Sequence, residues 1–111
     1  MKRDRTPCVY LLASDYRGVL YTGVTSNLPG RIWQDREGVT GGFTSHYKVF
    51  RLVYIEVFDT MDEAIAREKQ IKNWRRQWKI NLIEAANPHW RDLASDLGFE
   101  PLPPRRGGHG P

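Results

Sequence analysis

The sequence predicts a single α+β domain in which helices flank a small three-stranded antiparallel sheet. The apolar patterns follow the order strand, strand, helix, strand, helix, helix, and the 111 residues suit one domain. Forty per cent of the residues are hydrophobic and 12% are aromatic, which is enough for one buried core. We predict the folded domain over residues 7–98, with a flexible N-terminus over 1–6 and a disordered tail rich in Pro and Gly over 99–111.

The first two strands form a predicted hairpin. Two apolar and aromatic runs, residues 8–13 and 19–24, flank a short polar turn. A turn centred between these runs places Tyr10 opposite Gly23, so that Tyr10 and Tyr21 lie diagonally on one face of the sheet. A slip of one residue would place the two tyrosines on opposite faces.

A helix is predicted directly after the hairpin, because several N-capping side chains begin its pattern and Gly38 ends it. Arg31 and Asp35 lie one turn apart on this helix and can form an ion pair. Residues 39–50 contain adjacent glycines and have no periodicity, so we expect a loop. This loop carries His46.

A third strand and further helices follow this loop. The strand alternates in a way that is expected when both of its faces are covered. Thr60 and Glu63 have the spacing of a capping box, which begins a helix, and the proline after Asn87 ends the next helix. The predicted elements are a strand over 51–58, helices over 60–74 and 76–86, and a last short helix over 90–97.

Charge and cysteine content limit the class of protein. Seventeen Lys and Arg against thirteen Asp and Glu give a net charge of +4, which favours polyanionic partners. The single cysteine, Cys8, cannot form an intrachain disulfide or a cysteine metal cluster, so we expect a reducing compartment, the cytoplasm. The apolar run from Val9 to Ala13 is far shorter than the roughly 20 residues of a membrane span, and it is too short for a signal peptide.

Glu68 is the most informative acidic residue. Helical winding places it with Ala64 and Ile71 near the middle of an apolar stripe. A buried carboxylate without a partner is costly, so an Arg, a Lys or a divalent metal is expected beside it. The alternatives are a structural salt bridge or a carboxylate at the edge of the stripe.

Residues 67–79 form a strongly basic segment in which Glu68 is the only acid. Trp74 and Trp78 are interleaved with the basic residues and could stack on nucleic-acid bases. Tryptophans at this spacing can also be packing residues, and a charge run can be a solvated face. We predict nucleic-acid contacts from Arg67, Lys72, Arg75, Arg76 and Lys79.

Several of these residues occur in a pattern that resembles the GIY-YIG nuclease family. Val9-Tyr10 stands for the first motif, which is degenerate here, and Tyr21-Thr22-Gly23 stands for the second. Arg31 and Glu68 follow in the next two helices. The resemblance extends over about residues 6–97. Within the family, the chain is similar to small stand-alone bacterial members and to the N-terminal nuclease module of the excision-repair C subunit.

The resemblance implies this same fold and an endonuclease that hydrolyses phosphodiester bonds, in DNA rather than RNA and with a role in DNA repair. Glu68 would be the only protein ligand of a single Mg²⁺ or Mn²⁺, which accepts one carboxylate together with waters and phosphate oxygens. Arg31 would hold the scissile phosphate, and Tyr21 or Tyr10 would position or deprotonate the attacking water. An ordinary tyrosine has a pKa of about 10, so the role of base requires Arg31 or the metal to lower it.

The chain departs from the family pattern at Asp35, where many members carry a histidine. Asp35 cannot donate a proton at neutral pH and can neutralise Arg31, so a catalytically weak or inactive nucleic-acid-binding module is the alternative function. The resemblance gives His46, or its neighbour Tyr47, a substitute role. It matches Asn87, or less closely Asn81, to a late asparagine, although Asn87 also caps a helix. An unidentified protein partner could supply specificity, because no targeting module is evident.

Overall fold

The computed structural model describes residues 6–37 and 48–99, in which three strands form one antiparallel sheet flanked by helices. The predicted α+β fold is therefore confirmed. The elements of the described residues are β1 (Cys8–Ala13), β2 (Leu20–Thr25), α1 (Leu28–Glu37), β3 (Arg51–Val57), α2 (Met61–Lys72), α3 (Arg76–Ala86) and a 3-10 helix (Leu93–Leu97).

β1 is the central strand of the sheet and runs antiparallel to both β2 and β3. Tyr10 pairs with Gly23 and Leu12 pairs with Tyr21, so the predicted hairpin register is confirmed. Every residue of β1 is buried, because the strand has a neighbour on each side and helices over both faces. β2 is left at one edge of the sheet.

Helices cover the two faces of the sheet in separate layers. On the first face, the side chains of Tyr10 and Leu12 pack with Leu28 and Ile32 of α1. The 3-10 helix contributes Ala94 to the same layer. On the second face the core is formed with α2 and α3, and its buried residues are Val9, Leu11, Ala13, Val53, Ala64, Ile71, Ile80, Ile83 and Trp90.

β3 contains a bulge that the predicted alternation missed. Tyr54 pairs with one residue of β1 and Leu52 with the next, so Val53 is an extra residue in the strand. The regular alternation predicted for 51–58 is therefore wrong at this point. Leu52 and Ile55 pack on the first face, whereas Val53 and Tyr54 both pack on the second.

Side chains from the C-terminal segment bond to backbone groups at this bulge. Asn87 Nδ2 donates to the carbonyl oxygen of Val53 at 3.1 Å. The N–H of Leu52 donates to Asp92 Oδ1 at 3.1 Å, and Asp92 also pairs with Arg36 at 2.9 Å. Buried backbone groups that a bulge removes from the ladder need such partners, so these bonds stabilise the kinked strand.

Local signals explain most of the helix ends. The N–H of Glu63 donates to Thr60 Oγ1 at 3.2 Å, so the predicted cap does begin α2, which ends at Lys72. The last helix, predicted over 90–97, is a shorter 3-10 helix. Trp90 has a φ of 58°, a left-handed conformation that cannot belong to a right-handed helix.

Residues at both ends of the described range contact the domain. The N–H of Thr6 donates to the carbonyl oxygen of Ser26 at 3.0 Å, and Phe99 packs against the core beneath Arg36. Residues 1–5, 100–111 and the part of the predicted loop that carries His46 lie outside the described residues. In the described ranges no helix is long and apolar enough to cross a membrane.

Candidate active site

Four of the predicted site residues, Tyr10, Tyr21, Arg31 and Glu68, lie on or next to the edge strand β2 and its neighbouring elements. Tyr10 and Tyr21 have ring centroids 6.3 Å apart and lie on the face that α1 covers. α2 packs against the opposite face, where Val24 contacts its buried residues. Lys72, at the end of α2, is close enough to Tyr21 for their charges to interact. Side chains from both helical layers therefore converge at this edge.

Gly23 leaves the space that the Tyr10 ring occupies. A Cβ atom built on Gly23 would lie 2.5 Å from both Cζ and Oη of Tyr10, closer than real Cβ contacts. The backbone of Gly23 does not have the positive φ that only glycine adopts easily. The glycine of the second motif is therefore required by the close approach of the phenol.

The hydroxyl of Tyr10 is buried and has no hydrogen-bond partner among the described residues. A buried hydroxyl without a partner costs about 1–3 kcal/mol, so the Tyr10 hydroxyl is an unsatisfied polar group within the core. Burial raises the pKa of the Tyr10 phenol, and the positive charge of Arg31 opposes this only in part. Tyr10 is therefore protonated at neutral pH and can donate a hydrogen bond.

Tyr21 is joined directly to Arg31, because Nη2 of Arg31 donates to the Tyr21 hydroxyl oxygen at 3.1 Å. Nε of Arg31 lies 3.6 Å from Oδ1 of Asp35, so the predicted ion pair on α1 forms. The side chain of Asp35 is 1% exposed and that of Arg31 is 30% exposed. The guanidinium is thus held by a phenol and a buried carboxylate, with part of its surface open to solvent.

Glu68 lies on the buried side of α2 with Ala64 and Ile71, as helical winding predicts. Its Oε2 is 2.7 Å from Nζ of Lys72, and the Glu68 carboxylate holds the pKa of that lysine above its ordinary value. The side chain of Lys72 is 54% exposed, whereas that of Glu68 is 10% exposed. The carboxylate therefore has a cationic partner that is open to solvent. The spacing of four residues carried this signal, but we predicted Lys72 only as a nucleic-acid contact.

Glu68 is also the residue that could hold a divalent cation. Among residues 6–37 and 48–99, no group of three or more His, Cys, Asp or Glu side chains is suited to hold a metal by protein ligands alone. Mg²⁺ commonly keeps several waters and binds one or two carboxylates together with substrate phosphates. A single carboxylate whose partner is an exposed lysine fits such an ion, because the long side chain of Lys72 can move aside.

The structure does not bring Asn87 to this cluster. The Nδ2 atom of Asn87 donates to the carbonyl oxygens of Val53 and Arg91, and its Oδ1 accepts from the N–H of Arg91. The amide is therefore engaged with the backbone at the bulge and at the end of α3. His46 lies outside the described residues, so its predicted role stays a prediction.

The five basic residues predicted to contact nucleic acid fall into two groups. Lys79 has its pKa lowered by burial and then by the nearby charges of Arg76 and Lys72, so these three cations lie close together. The guanidinium of Arg67 lies 5.1 Å from the ring centroid of Trp74, and that of Arg75 lies 5.2 Å from that of Trp78. One group is a cluster of positive charge, and the other is a set of stacked cation–aromatic pairs.

Known proteins resemble this chain over most of its described length. Residues 6–81 match the family model for the GIY-YIG catalytic domain. A UPF0213 protein of Staphylococcus saprophyticus is 41% identical over 66 residues, which cover 60% of this chain and 80% of that protein. One from Staphylococcus aureus is 36% identical over 67 residues, covering 60% and 82%. The solution NMR structure of a UPF0213 protein from Bacillus halodurans has a TM-score of 0.51 at 27% identity and covers 81% of this chain and 95% of that one.

Proposed function

This chain belongs to the GIY-YIG catalytic domain family, and from that premise we propose that it is a divalent-metal-dependent endonuclease that hydrolyses phosphodiester bonds in DNA. The family domain implies nuclease activity and contact with nucleic acid, and its nucleases generally depend on a divalent metal. DNA rather than RNA, Mg²⁺ or Mn²⁺ as the ion, and a role in DNA repair belong to the proposal. The observation that supports it is the hydrogen bond from Arg31 to Tyr21, together with the buried Glu68, whose partner Lys72 interacts electrostatically with Tyr21.

We assign Tyr21, rather than Tyr10, to the attacking water. The guanidinium of Arg31 donates to the Tyr21 oxygen at 3.1 Å, so it offsets negative charge that develops there when Tyr21 gives up its proton. Once the Tyr21 proton has passed to solvent, the Tyr21 oxygen takes a proton from the attacking water as the new P–O bond forms and the P–O bond to the leaving oxygen breaks. Tyr10 keeps its proton and donates a hydrogen bond that orients the water or a phosphate oxygen.

Arg31 and Glu68 supply the charge that phosphodiester cleavage needs. Arg31 has five N–H donors and uses one on Tyr21, so others remain for the scissile phosphate. Glu68 would hold the divalent ion once Lys72 has moved aside. The ion supplies stabilisation of negative charge on the phosphate and on the leaving oxygen.

Lys72, Arg76 and Lys79 form a surface for the phosphate backbone. Each raises the local positive potential, which attracts nucleic acid without regard to sequence and makes binding dependent on salt. Cytoplasmic location is part of this proposal, because the only cysteine, Cys8, is a buried free thiol. An unidentified protein partner could still direct the domain to its target.

A nucleic-acid-binding module with weak or no catalysis is the second candidate function. Its support is Asp35, which is buried and paired with the Arg31 that would hold the phosphate. Lys72 similarly occupies the carboxylate of Glu68. Under this alternative, Asp35→His restores the residue common in the family and should increase cleavage.

The two candidates are separated by incubating the protein with labelled supercoiled plasmid, single strands and branched DNA in Mg²⁺, Mn²⁺ or chelator. Glu68→Gln removes the negative charge of the carboxylate, whereas Arg31→Lys keeps the positive charge and removes the planar set of guanidinium donors. Glu63→Gln is the matched control, because Glu63 is an exposed carboxylate on the same helix. Circular dichroism and thermal melting establish that each variant is folded.

We expect nicking that requires the metal, falls by about 100-fold or more in Glu68→Gln and Arg31→Lys, and is unchanged in Glu63→Gln. Salt-dependent binding without cleavage in any metal would favour the second candidate. Cleavage that persists in both site variants would come from a contaminating nuclease and would remove the support for the first.

A further inference from the structure

We propose that Trp74, Trp78 and the arginines stacked on them form a platform that binds an unpaired base of a nucleic-acid strand next to the cleavage site. This inference rests on the proposed function, because it names the class of substrate as nucleic acid with a single-stranded segment. The proposed catalytic mechanism uses neither of these tryptophans.

The two indoles form an anchored and partly open surface. Their ring centroids lie 6.0 Å apart at an interplanar angle of 79°, and Trp74 packs against the core beside Ile71. Trp78 is 50% exposed, although its indole is a large hydrophobic side chain. With Asn81 and Leu82 these rings line a shallow depression.

Each indole also carries a guanidinium. Arg67 lies over Trp74, and Nε of Arg67 donates a hydrogen bond of 3.1 Å to Oε1 of Glu56, which holds the guanidinium in place. Arg75 lies over Trp78 and is exposed, so it can move to contact a phosphate. A flat base stacks on aromatic and guanidinium faces, and the phosphate attached to it complements their positive charge.

The chemistry favours an unpaired base over a duplex. Inside a duplex the faces of the bases are covered by their neighbours, and only base edges are presented in the grooves. An indole face can therefore stack on a base only where the strand is single. The cluster of Lys72, Arg76 and Lys79 has no such requirement, because it contacts phosphates that both forms present.

The platform lies close to the candidate active site along the chain. Trp74 follows Lys72, the partner of Glu68, by two residues, so their Cα atoms are at most about 7 Å apart. One strand that enters the site can therefore reach the platform with a nucleotide near the scissile bond. The substrate class that fits is a duplex with a single-stranded flank, such as a flap or a branched junction.

The test compares binding of three labelled DNA duplexes of one sequence by fluorescence anisotropy, in chelator so that no strand is cut. One duplex is blunt, one has a short single-stranded flank, and one has the same flank with abasic sites in place of its bases. Trp78→Leu removes the exposed indole, and Trp78→Phe keeps an aromatic face. Trp33→Leu is the matched control, because Trp33 is 53% exposed but lies on α1.

We expect the wild-type protein to bind the flank with bases at least about fivefold more tightly than the abasic flank. Trp78→Leu should abolish this difference, whereas Trp78→Phe and Trp33→Leu should keep most of it. Equal affinity for the two flanks, or a difference that persists in Trp78→Leu, would overturn the platform.

The blunt duplex distinguishes this failure from failure of the proposed function. Salt-dependent binding of the blunt duplex, together with metal-dependent nicking of plasmid, would leave the nuclease proposal intact if the base-dependent difference were absent. Absence of binding to all three duplexes would overturn both. Melting temperatures of the Trp78 variants establish that any loss does not come from unfolding.

Discussion

Replacing Gly23 by alanine tests the packing that positions the Tyr10 phenol. The added Cβ would lie 2.5 Å from Cζ of Tyr10, whereas carbon atoms in contact are about 3.5–4.0 Å apart, so the ring must move by roughly 1 Å. Tyr10 is fully buried, and overpacking of this kind costs about 1–3 kcal/mol. Alanine lowers the conformational entropy of the unfolded chain, which raises the free energy of unfolding by about 0.4–1 kcal/mol and offsets part of this cost. We expect Gly23→Ala to lower the free energy of unfolding by about 1–2 kcal/mol.

The assay is urea unfolding of Gly23→Ala, alone and combined with Tyr10→Leu, which removes the ring that the new methyl group meets. Gly30→Ala is the matched control. Its Cβ would meet only the end of the Asn27 side chain, which is exposed and can rotate away. We expect Gly30→Ala to change the free energy of unfolding by less than about 0.5 kcal/mol. The higher helix propensity of alanine offsets the weakening of the hydrogen bond from the N–H of residue 30 to the Asn27 side chain.

The double-mutant cycle decides whether the ring is the cause. If it is, Gly23→Ala should cost little in the Tyr10→Leu background, and the coupling energy should be about 1–2 kcal/mol. An equal cost of Gly23→Ala with and without the ring would refute the reasoning. The glycine would then be required for some reason other than the approach of the phenol.

Three further predictions concern metal binding, the bulge and the buried thiol. Lys72→Met should raise the affinity for Mn²⁺ by roughly three- to tenfold in calorimetric titration, because no ammonium group then competes for the Glu68 carboxylate. Lys69→Met is the control and should leave this affinity unchanged, because Lys69 is an exposed residue of α2 that does not pair with Glu68. Asn87→Ala should lower the free energy of unfolding by about 1–3 kcal/mol, because Val53 loses a buried partner, and Asn81→Ala should change it by less than about 0.5 kcal/mol; equal effects would contradict this account. Burial raises the pKa of the Cys8 thiol from 9.0 to about 11, so its stability contribution is complete below pH 9 and is lost as pH rises through 11. The free energy of unfolding in urea should therefore fall less between pH 9 and pH 11 in Cys8→Ala than in the wild-type protein, by up to about 2–3 kcal/mol. The same fall in both proteins would contradict the raised pKa of the thiol.

Local patterns were sufficient to predict much of the fold. The hairpin register followed from the short turn and the strand alternation, and it placed Tyr10 opposite Gly23 as observed. Helical winding predicted that Glu68 lies on the buried side of α2. The N-cap of α2 is also a local feature, because the hydrogen bond from the N–H of Glu63 to Thr60 Oγ1 joins residues one helical turn apart.

Non-local contacts explain what the sequence did not predict. The bulge at Val53 depends on partner groups from Asn87 and Asp92, which come together only when the chain has folded. The left-handed Trp90, which delays the last helix, has no local sequence signal such as glycine or asparagine. Regular periodicity could not reveal either feature, since it describes only uninterrupted strands and helices.

The fold class, the family resemblance and the residue types of the candidate site could all be predicted from the amino-acid order, because periodicity and spacing are local properties of the chain. How those residues are paired could be read from the folded molecule alone. The tertiary structure joined Arg31 to Tyr21, gave Glu68 an exposed lysine partner, and enclosed the Tyr10 hydroxyl so that it keeps its proton. The physical reason is that pairing and protonation depend on distance and burial, which are fixed when helices from both faces close around the edge of the sheet.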